Sequence, residues 1–496
     1  MTATKNFLAF DLGASGGRAI IGRFDGEQLA LDEAHRFSNG PTQLPLANGT
    51  GLFWDILRLF GEIKEGLAKA VTCCGGDLVS LGLDTWGVDF GLLDKAGVLL
   101  GNPYHYRDSR TDGIMDEAFH RVPRPELFAA TGIQFMQINT LFQLLAMAVH
   151  KDAALDAAHT FLMVPDLLNY WLTGRAVSEY TIASTTQFLD PITRDWARPL
   201  LARLGLPTHI LPPIVEPGTM LGELLPHVAD EAGGRDLAVV APACHDTAAA
   251  VAAVPAAGSD FAYLSSGTWS LIGAETRQPV IDERSLAFNF TNEGGVCGAI
   301  RLLKNITGLW IIQESRRTWA SQGHALSWDD ITRLAAQAPA FTALIDVDAR
   351  DFASPGDMPG RVRDYCARTG QPLPDGIGAV ARVVYESLAL KYRWVLERLE
   401  ELVGRRLEPL HIVGGGAKNR LLNQFTADAI GRPVMAGPVE ATAAGNLLMQ
   451  LLATGHIASL AQGRDLIHRS LGAEVYEPQP SAAWEDAYGR FSGLVA

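Results

Sequence analysis

With 496 residues, 48% of them hydrophobic and 19% charged, the chain is long enough for two or three domains with real cores. A formal charge of −14 without any run of Lys and Arg argues against a nucleic-acid surface, and no apolar stretch approaches the ~20 residues that cross a bilayer. The start, Met1-Thr-Ala-Thr-Lys-Asn6, lacks the basic and apolar parts of a leader, and the five cysteines (Cys73, Cys74, Cys244, Cys297, Cys366) show no metal-ligand spacing. A cytoplasmic protein with reduced thiols is expected.

The first readable element is a short apolar strand, Phe7 to Phe10, with a return strand from Ala19 to Phe24. Between them lies Asp11-Leu-Gly-Ala-Ser-Gly-Gly-Arg18. Gly13, Gly16 and Gly17 free the backbone for left-handed conformations and close approach to an anion, and successive N–H groups suit phosphate. Arg18 offers a cationic fork to phosphate oxygens, and Asp11 at the strand end is a candidate ligand for a metal-bound water. Taken alone, the segment reads equally as a glycine-rich hairpin with one exposed acid.

An extended stretch from Ala30 to Phe37 follows. Phe53, Ile56, Leu57, Phe60, Ile63 and Leu67 then recur at helical spacing, ending near Cys74-Gly-Gly76. The apolar run Leu78 to Leu83 predicts a strand buried on both faces that delivers Asp84-Thr-Trp-Gly-Val-Asp-Phe90 to a sheet's carboxyl end, where open α/β sheets bind ligands. Polar clusters between apolar segments fill residues 102 to 242, suiting binding loops and plain solvated loops alike. The strand Leu237 to Ala241 runs into Cys244-His-Asp-Thr247.

Asp260 to Gly273 repeats the layout of residues 6 to 22: strand, small-residue turn, strand. A long helical pattern from Val380 to Leu402 precedes the strand Leu410 to Val413, as the first helix precedes the strand at 78–83. Two similar halves are therefore expected, 1–253 and 254–496, with a hinge near Val254-Pro-Ala-Ala-Gly258 and a ligand cleft between them. Val413-Gly-Gly-Gly-Ala-Lys-Asn419 leaves a strand and opens a helix whose free N–H groups favour nucleotide oxygens. It is not a lysine-bearing P-loop, since no Gly-Lys-Ser/Thr follows.

These motifs occur in a telling order: Asp11 to Arg18, Asp84 to Phe90, Tyr106-Arg-Asp-Ser-Arg-Thr111, His245-Asp-Thr247, Leu264-Ser-Ser-Gly-Thr-Trp269, Asn292-Glu-Gly-Gly295, Lys304-Asn-Ile306 and His411-Ile-Val-Gly-Gly-Gly416. Together, from residue 6 to about 450, they resemble the FGGY carbohydrate kinases. The resemblance implies an α/β fold of two ribonuclease-H-like, actin-type ATPase domains, with ATP in the cleft. The implied reaction moves the γ-phosphoryl of ATP to a ketose hydroxyl, with C1 of L-rhamnulose as the first expectation and L-fuculose or L-xylulose as alternatives. Relatives with this motif set commonly carry Ser where Gly16 stands here, which removes one hydroxyl near the phosphates.

The resemblance also implies residue roles. Asp246 is the proton acceptor, with an ordinary carboxyl pKa near ~3.9 sufficing at neutral pH. Taken alone, Asp246 reads first as the N-cap of a helix starting at Ala248. Gly87, His245, Thr247 and Asn305 are expected to join Asp246 in contacting the sugar, while Lys304 reads as a surface charge and Trp86 as core or as a wall for a methyl group. Ala14, Ser15, Gly16, Gly17 and Arg18 are expected to hold phosphates from one domain, with Thr268, Gln313 and Gly415 contacting ATP from the other. Mg²⁺ is expected with the nucleotide, Asp11 acting through water. The sugar and ATP are the only partners implied, on a monomer or homodimer without nucleic acid or membrane. The rival from another class is an actin-type chaperone or filament ATPase, which has no use for the sugar loops.

Overall fold

A computed structural model describes residues 4–47, 49–479 and 481–495; residues 1–3, on which part of the leader reading rests, lie outside that set. The first hairpin pairs β1 (Lys5–Gly13) with β2 (Gly16–Phe24), and β3 (Leu29–Ser38) extends it. Helix α1 (Ile56–Cys73) buries Ile56, Ile63 and Leu67 as its spacing predicts, but Leu59 is buried instead of Leu57, which is exposed, and Phe60 is half-buried; Asp55 caps the helix by accepting from the Arg58 N–H at 3.2 Å. A Cβ on Gly66 would lie 2.9 Å from the Phe10 ring, so that glycine lets α1 settle onto β1. β4 (Ser80–Thr85), buried at every residue, runs parallel to β1; β6 (Ala238–Ala241) runs parallel to β4, and β5 (Thr219–Glu223) closes the edge antiparallel. The order across the sheet is β5-β6-β4-β1-β2-β3. β6 leads to α2 (Asp246–Ala252).

The second half repeats this plan. β7 (Ala262–Ser266) and β8 (Trp269–Thr276) form its hairpin, and β9 (Ile300–Thr307) lies beside β8. Helix α3 (Gly376–Val403) precedes β10 (Leu410–Val413), which pairs parallel to β7 as β4 pairs to β1. After α4 (Arg420–Ile430), β11 (Val434–Ala436) runs parallel to β10, and β12 (Glu474–Tyr476) is antiparallel at the edge. Six of this sheet's seven strands, in the order β12-β11-β10-β7-β8-β9, match β5-β6-β4-β1-β2-β3 position by position, and the strand Thr291–Gly294 is added at the edge beyond β9.

Contacts divide the chain into two units: residues up to Ala257 with Glu275–Leu302 and Ala441–Leu471, and Gly258–Ala274 with Leu303–Glu440 and Gly472–Ala496. This differs from the expected division at 253/254, because two later segments return to the first unit. The reason is visible in helix α5 (Ala441–Ala453), buried nearly throughout. Its Gln450 donates to Leu8 O at 2.9 Å on β1 and accepts from Ser80 Oγ at 2.7 Å on β4. A Cβ on Gly445 would overlap Ala249 O of α2, so α5 and α2 pack backbone to backbone. Among the described residues no helix is long and apolar enough to cross a membrane.

Candidate active site

In the first unit the carboxyl ends of the adjacent parallel strands bring several of the expected site residues together. Asp11 on β1 sits opposite Asp84 on β4 in register, and Thr85 bridges to His245 beyond β6. The Thr85 N–H donates to Cys244 O at 2.9 Å, fixing the start of α2 against β4. Asp246 is the first residue of α2, not its N-cap; His245 holds the cap position without a side-chain bond. Asp246 Oδ1 accepts from the Thr247 N–H at 2.5 Å and from Thr247 Oγ1 at 3.1 Å.

These carboxyls share one electrostatic problem. Burial and the charge of Asp11 push the Asp246 carboxyl up to about 7, outweighing the Thr247 hydrogen bonds and the Arg301 guanidinium. The ordinary pKa expected from the sequence therefore does not hold. Asp84, fully buried, is raised well above the usual range by burial and then by Asp11, against the help of Asn446, which donates to its Oδ2 at 2.7 Å from α5. Asp84 Oδ1 is buried without a hydrogen-bond partner.

Of the residues expected to contact the sugar, Gly87, His245, Asp246 and Thr247 lie in the first unit and Asn305 in the second. A Cβ on Gly87 would lie 3.3 Å from His245 Nε2 and 3.3 Å from Thr185, so Gly87, His245 and Thr185 share one wall. Val88 next to it is held at φ +69°, a costly conformation for a β-branched residue. Its N–H donates to Thr185 Oγ1 at 3.2 Å, and its carbonyl accepts from Thr140 Oγ1 at 2.6 Å. Asp89, raised to about 6 mainly by burial, accepts from Trp54 Nε1 at 2.6 Å, Trp86 Nε1 at 3.0 Å and Gln143 at 2.9 Å. Trp86 stacks on Trp54 with ring centroids 4.0 Å apart, so it is core. The Tyr106–Thr111 motif braces this turn from behind: Tyr106 donates its N–H to Asp89, and Arg110 lies 3.8 Å over Tyr104 while donating to Gln143.

The first glycine turn does not work as its composition suggests. None of Gly13, Gly16 and Gly17 takes a left-handed conformation. A Cβ on Gly17 would overlap the Phe37 ring, so that glycine serves packing. Only Ala14 and Ser15 separate the paired Gly13 and Gly16, and Asn39 braces them by donating to Gly13 O at 2.9 Å. Arg18 Nη2 donates to Asp11 Oδ2 at 2.6 Å, so the expected phosphate fork is paired with the expected metal-water ligand.

The nucleotide residues expected in the second unit form a group of their own. Thr268 Oγ1 donates to Gln313 Oε1 at 3.1 Å. Gly414, at φ +85°, and Gly416 bring the second glycine segment against the end of β7: a Cβ on Gly414 would lie 3.1 Å from Ser266 O, and one on Gly416 would overlap Ser266 Oγ. A Cβ on Gly415 would meet nothing within 4 Å, so its backbone is open to a ligand. These glycines open a short 3₁₀ turn, Gly415–Lys418, and Asn419 caps α4 itself by accepting from the Leu422 N–H at 3.0 Å. The direct strand-to-helix phosphate end expected there is thus replaced by a self-capped helix. Asn305 lies on β9 in the same unit. Lys304 is no surface charge: it is buried and lowered to about 8 by desolvation, which outweighs Asp348 and Asp346.

Asp11, Asp84 and Asp246 do not form a direct metal cage, since the one cluster of close ligand atoms among the described residues is His35, Glu62 and Glu65. With one carboxylate held by Arg18 and one by Asn446, this donor set fits a Mg²⁺ that keeps phosphate oxygens and waters around it.

The family models for FGGY carbohydrate kinases match the chain over residues 6–253 for the N-terminal domain and 262–454 for the C-terminal domain. The protein belongs to the FGGY family of carbohydrate kinases. It is therefore a sugar kinase, and the chaperone and filament readings fall away. It is 47% identical over 491 residues, 99% of each chain, to a rhamnulokinase of Bacteroides thetaiotaomicron. It is 42% identical to one of Enterococcus faecalis, covering 96% of this chain and 95% of the relative. Solved structures share its fold: a gluconate kinase of Lactobacillus acidophilus (TM-score 0.81, 18% identity, 99% and 98% of the two chains) and a xylulose kinase of Rhodospirillum rubrum (0.79, 21%, 99% and 98%).

Residues that the sequence reading gave no role complete the first-unit site. Arg301 and Glu293 stand behind His245, Thr185 lines the wall beside Gly87, and Glu179 Oε2 accepts the Cys244 N–H at 3.0 Å. Glu293 lay inside the Asn292–Gly295 motif, and Glu179 and Thr185 inside polar clusters that suit binding loops and solvated loops alike, but nothing local in the sequence tied any of them to His245.

Proposed function

We propose that this FGGY kinase transfers the γ-phosphoryl of ATP to the C1 hydroxyl of L-rhamnulose, in the cytoplasm, as a step of rhamnose breakdown. Asp246 carries the reading. It begins α2 beside the Gly87–His245 wall, and its carboxyl is tuned to about 7, near the working pH that suits a general base. Thr247 anchors Oδ1, so Oδ2 takes the sugar proton as the new P–O bond forms. The loose transition state needs that proton removed only late, which a carboxylate in hydrogen-bond reach supplies. Gly87, His245, Thr247 and Asn305 hold the ketose. Ala14 to Arg18, Thr268, Gln313 and Gly415 contact the nucleotide; Asp11, acting through water, would hold a Mg²⁺ ion, which would supply neutralisation of the charge on the leaving diphosphate. The choice of sugar rests on likeness to the rhamnulokinases at 47% and 42% identity.

Phosphate transfer is to be compared across L-rhamnulose, L-fuculose, L-xylulose and glycerol with one preparation, the product position being read by ³¹P NMR. The expected result is a kcat/KM for L-rhamnulose at least about tenfold above the others, with phosphate on C1. A higher value for L-fuculose or L-xylulose would replace the substrate and leave the kinase assignment intact.

A further inference from the structure

The side of His245 away from Gly87 faces a buried ion pair. Arg301, fully buried on β9, donates from Nε to Gly294 O at 2.8 Å and from Nη2 to Glu293 Oε2 at 3.0 Å. The same Nη2 lies 3.0 Å from His245 Nδ1, and Glu293 Oε2 lies 3.5 Å from that nitrogen. A guanidinium has five N–H donors and no acceptor, and it keeps its charge at every working pH. It can hydrogen-bond to an imidazole nitrogen only where that nitrogen presents a lone pair. His245 Nδ1 is therefore bare and the ring's proton sits on Nε2. Burial and the adjacent Arg301 charge hold the ring well below its ordinary pKa, so it stays neutral. Nε2 is the atom that faces the place a Gly87 Cβ would occupy, and it lies 3.5 Å from Asp246 Oδ1.

We propose that Arg301 is a positioning residue that locks His245 in the Nε2–H tautomer, so that His245 acts as a hydrogen-bond donor toward a sugar oxygen. The ring then gives a proton-bearing edge to the substrate beside the carboxylate that accepts one, and the two do not compete for the same sugar proton. Glu293 balances the Arg301 charge and is the acceptor waiting at Nδ1 if Arg301 is removed. The sugar part of this inference rests on the proposed reading of His245 as a ketose contact.

The test is ¹⁵N–¹H correlation across the imidazole rings of histidine-labelled protein near neutral pH, His245 being assigned by its loss in His245→Gln. In the unaltered protein His245 should show a protonated Nε2 and a bare Nδ1. In Arg301→Met, Glu293 should draw the proton to Nδ1, and the sugar KM should rise about tenfold or more, with kcat changed less and the ATP KM within about twofold. A proton on Nδ1 of the unaltered protein overturns the inference and leaves the kinase reading untouched. That measurement stands even if Arg301→Met fails to fold. A tautomer that flips in the variant with an unchanged sugar KM overturns His245 as the sugar contact, and with it the role given to Arg301.

Discussion

Replacing Asp246 with Asn separates two consequences of the same electrostatics. The folded carboxyl sits at about 7 against an ordinary 3.8, so the folded state holds a proton that the unfolded chain has already released between these values. Stability therefore falls as pH rises through that window, and the full cost is present above about pH 7. At about 1.4 kcal/mol per pKa unit the limit is about 4 kcal/mol; with the side chain 29% exposed, about 2–4 kcal/mol is the reasonable range. Asn keeps an acceptor for Thr247 and carries no charge. Asp246→Asn should thus gain stability in urea unfolding of the ligand-free protein, more at about pH 8 than at about pH 5 by about 1–2.5 kcal/mol. The same change removes the base, so turnover should drop at least about 10²-fold while ADP affinity stays within about twofold. In the unaltered enzyme kcat should climb with pH as one group titrates near 7. Near-normal turnover in the variant would remove Asp246 from its role, and a stability gain independent of pH would refute the burial argument.

Other substitutions probe the supports. Gly87→Ala places a methyl 3.3 Å from His245 Nε2 and Thr185 and should raise the sugar KM about tenfold with the ATP KM unchanged; an unchanged sugar KM would move the sugar elsewhere. Gly416→Ala drives a methyl into Ser266 at the end of β7, so the urea midpoint should fall by the equivalent of about 1–3 kcal/mol and ADP binding should weaken, whereas unchanged binding would exclude this turn from the nucleotide site. Glu179→Ala leaves the Cys244, Thr181 and Ile182 N–H groups without their acceptor and should cost about 3–5 kcal/mol. A loss under about 1 kcal/mol there would mean that the loop carrying His245 is held by other bonds.

What was legible in the sequence follows from the range of the forces involved. Alternation and apolar runs located β1, β4 and β10 and the helices before the latter two, because those patterns arise from each element's own burial. The repeat of hairpin, helix and strand then implied two like sheets. The pKa of Asp246 was not legible, because it depends on burial and on Asp11, and residue 246 carries no mark of either. Asn446 reaches Asp84 across 362 positions and Gln450 reaches Leu8 across 442, so the segment that completes the first unit lies at the far end of the chain. Gly17 shows a second limit: its composition fits a phosphate turn, and only the fold shows that the missing Cβ also makes room for Phe37. A local motif thus shows which residues stand at a strand end. Whether a carboxyl there is a strong acid, a weak one or a buried strut is decided by partners hundreds of residues away. For this kinase the same holds of Asp246, the proposed base, whose carboxyl is tuned by burial and Asp11 rather than by the His-Asp-Thr triplet that marks it.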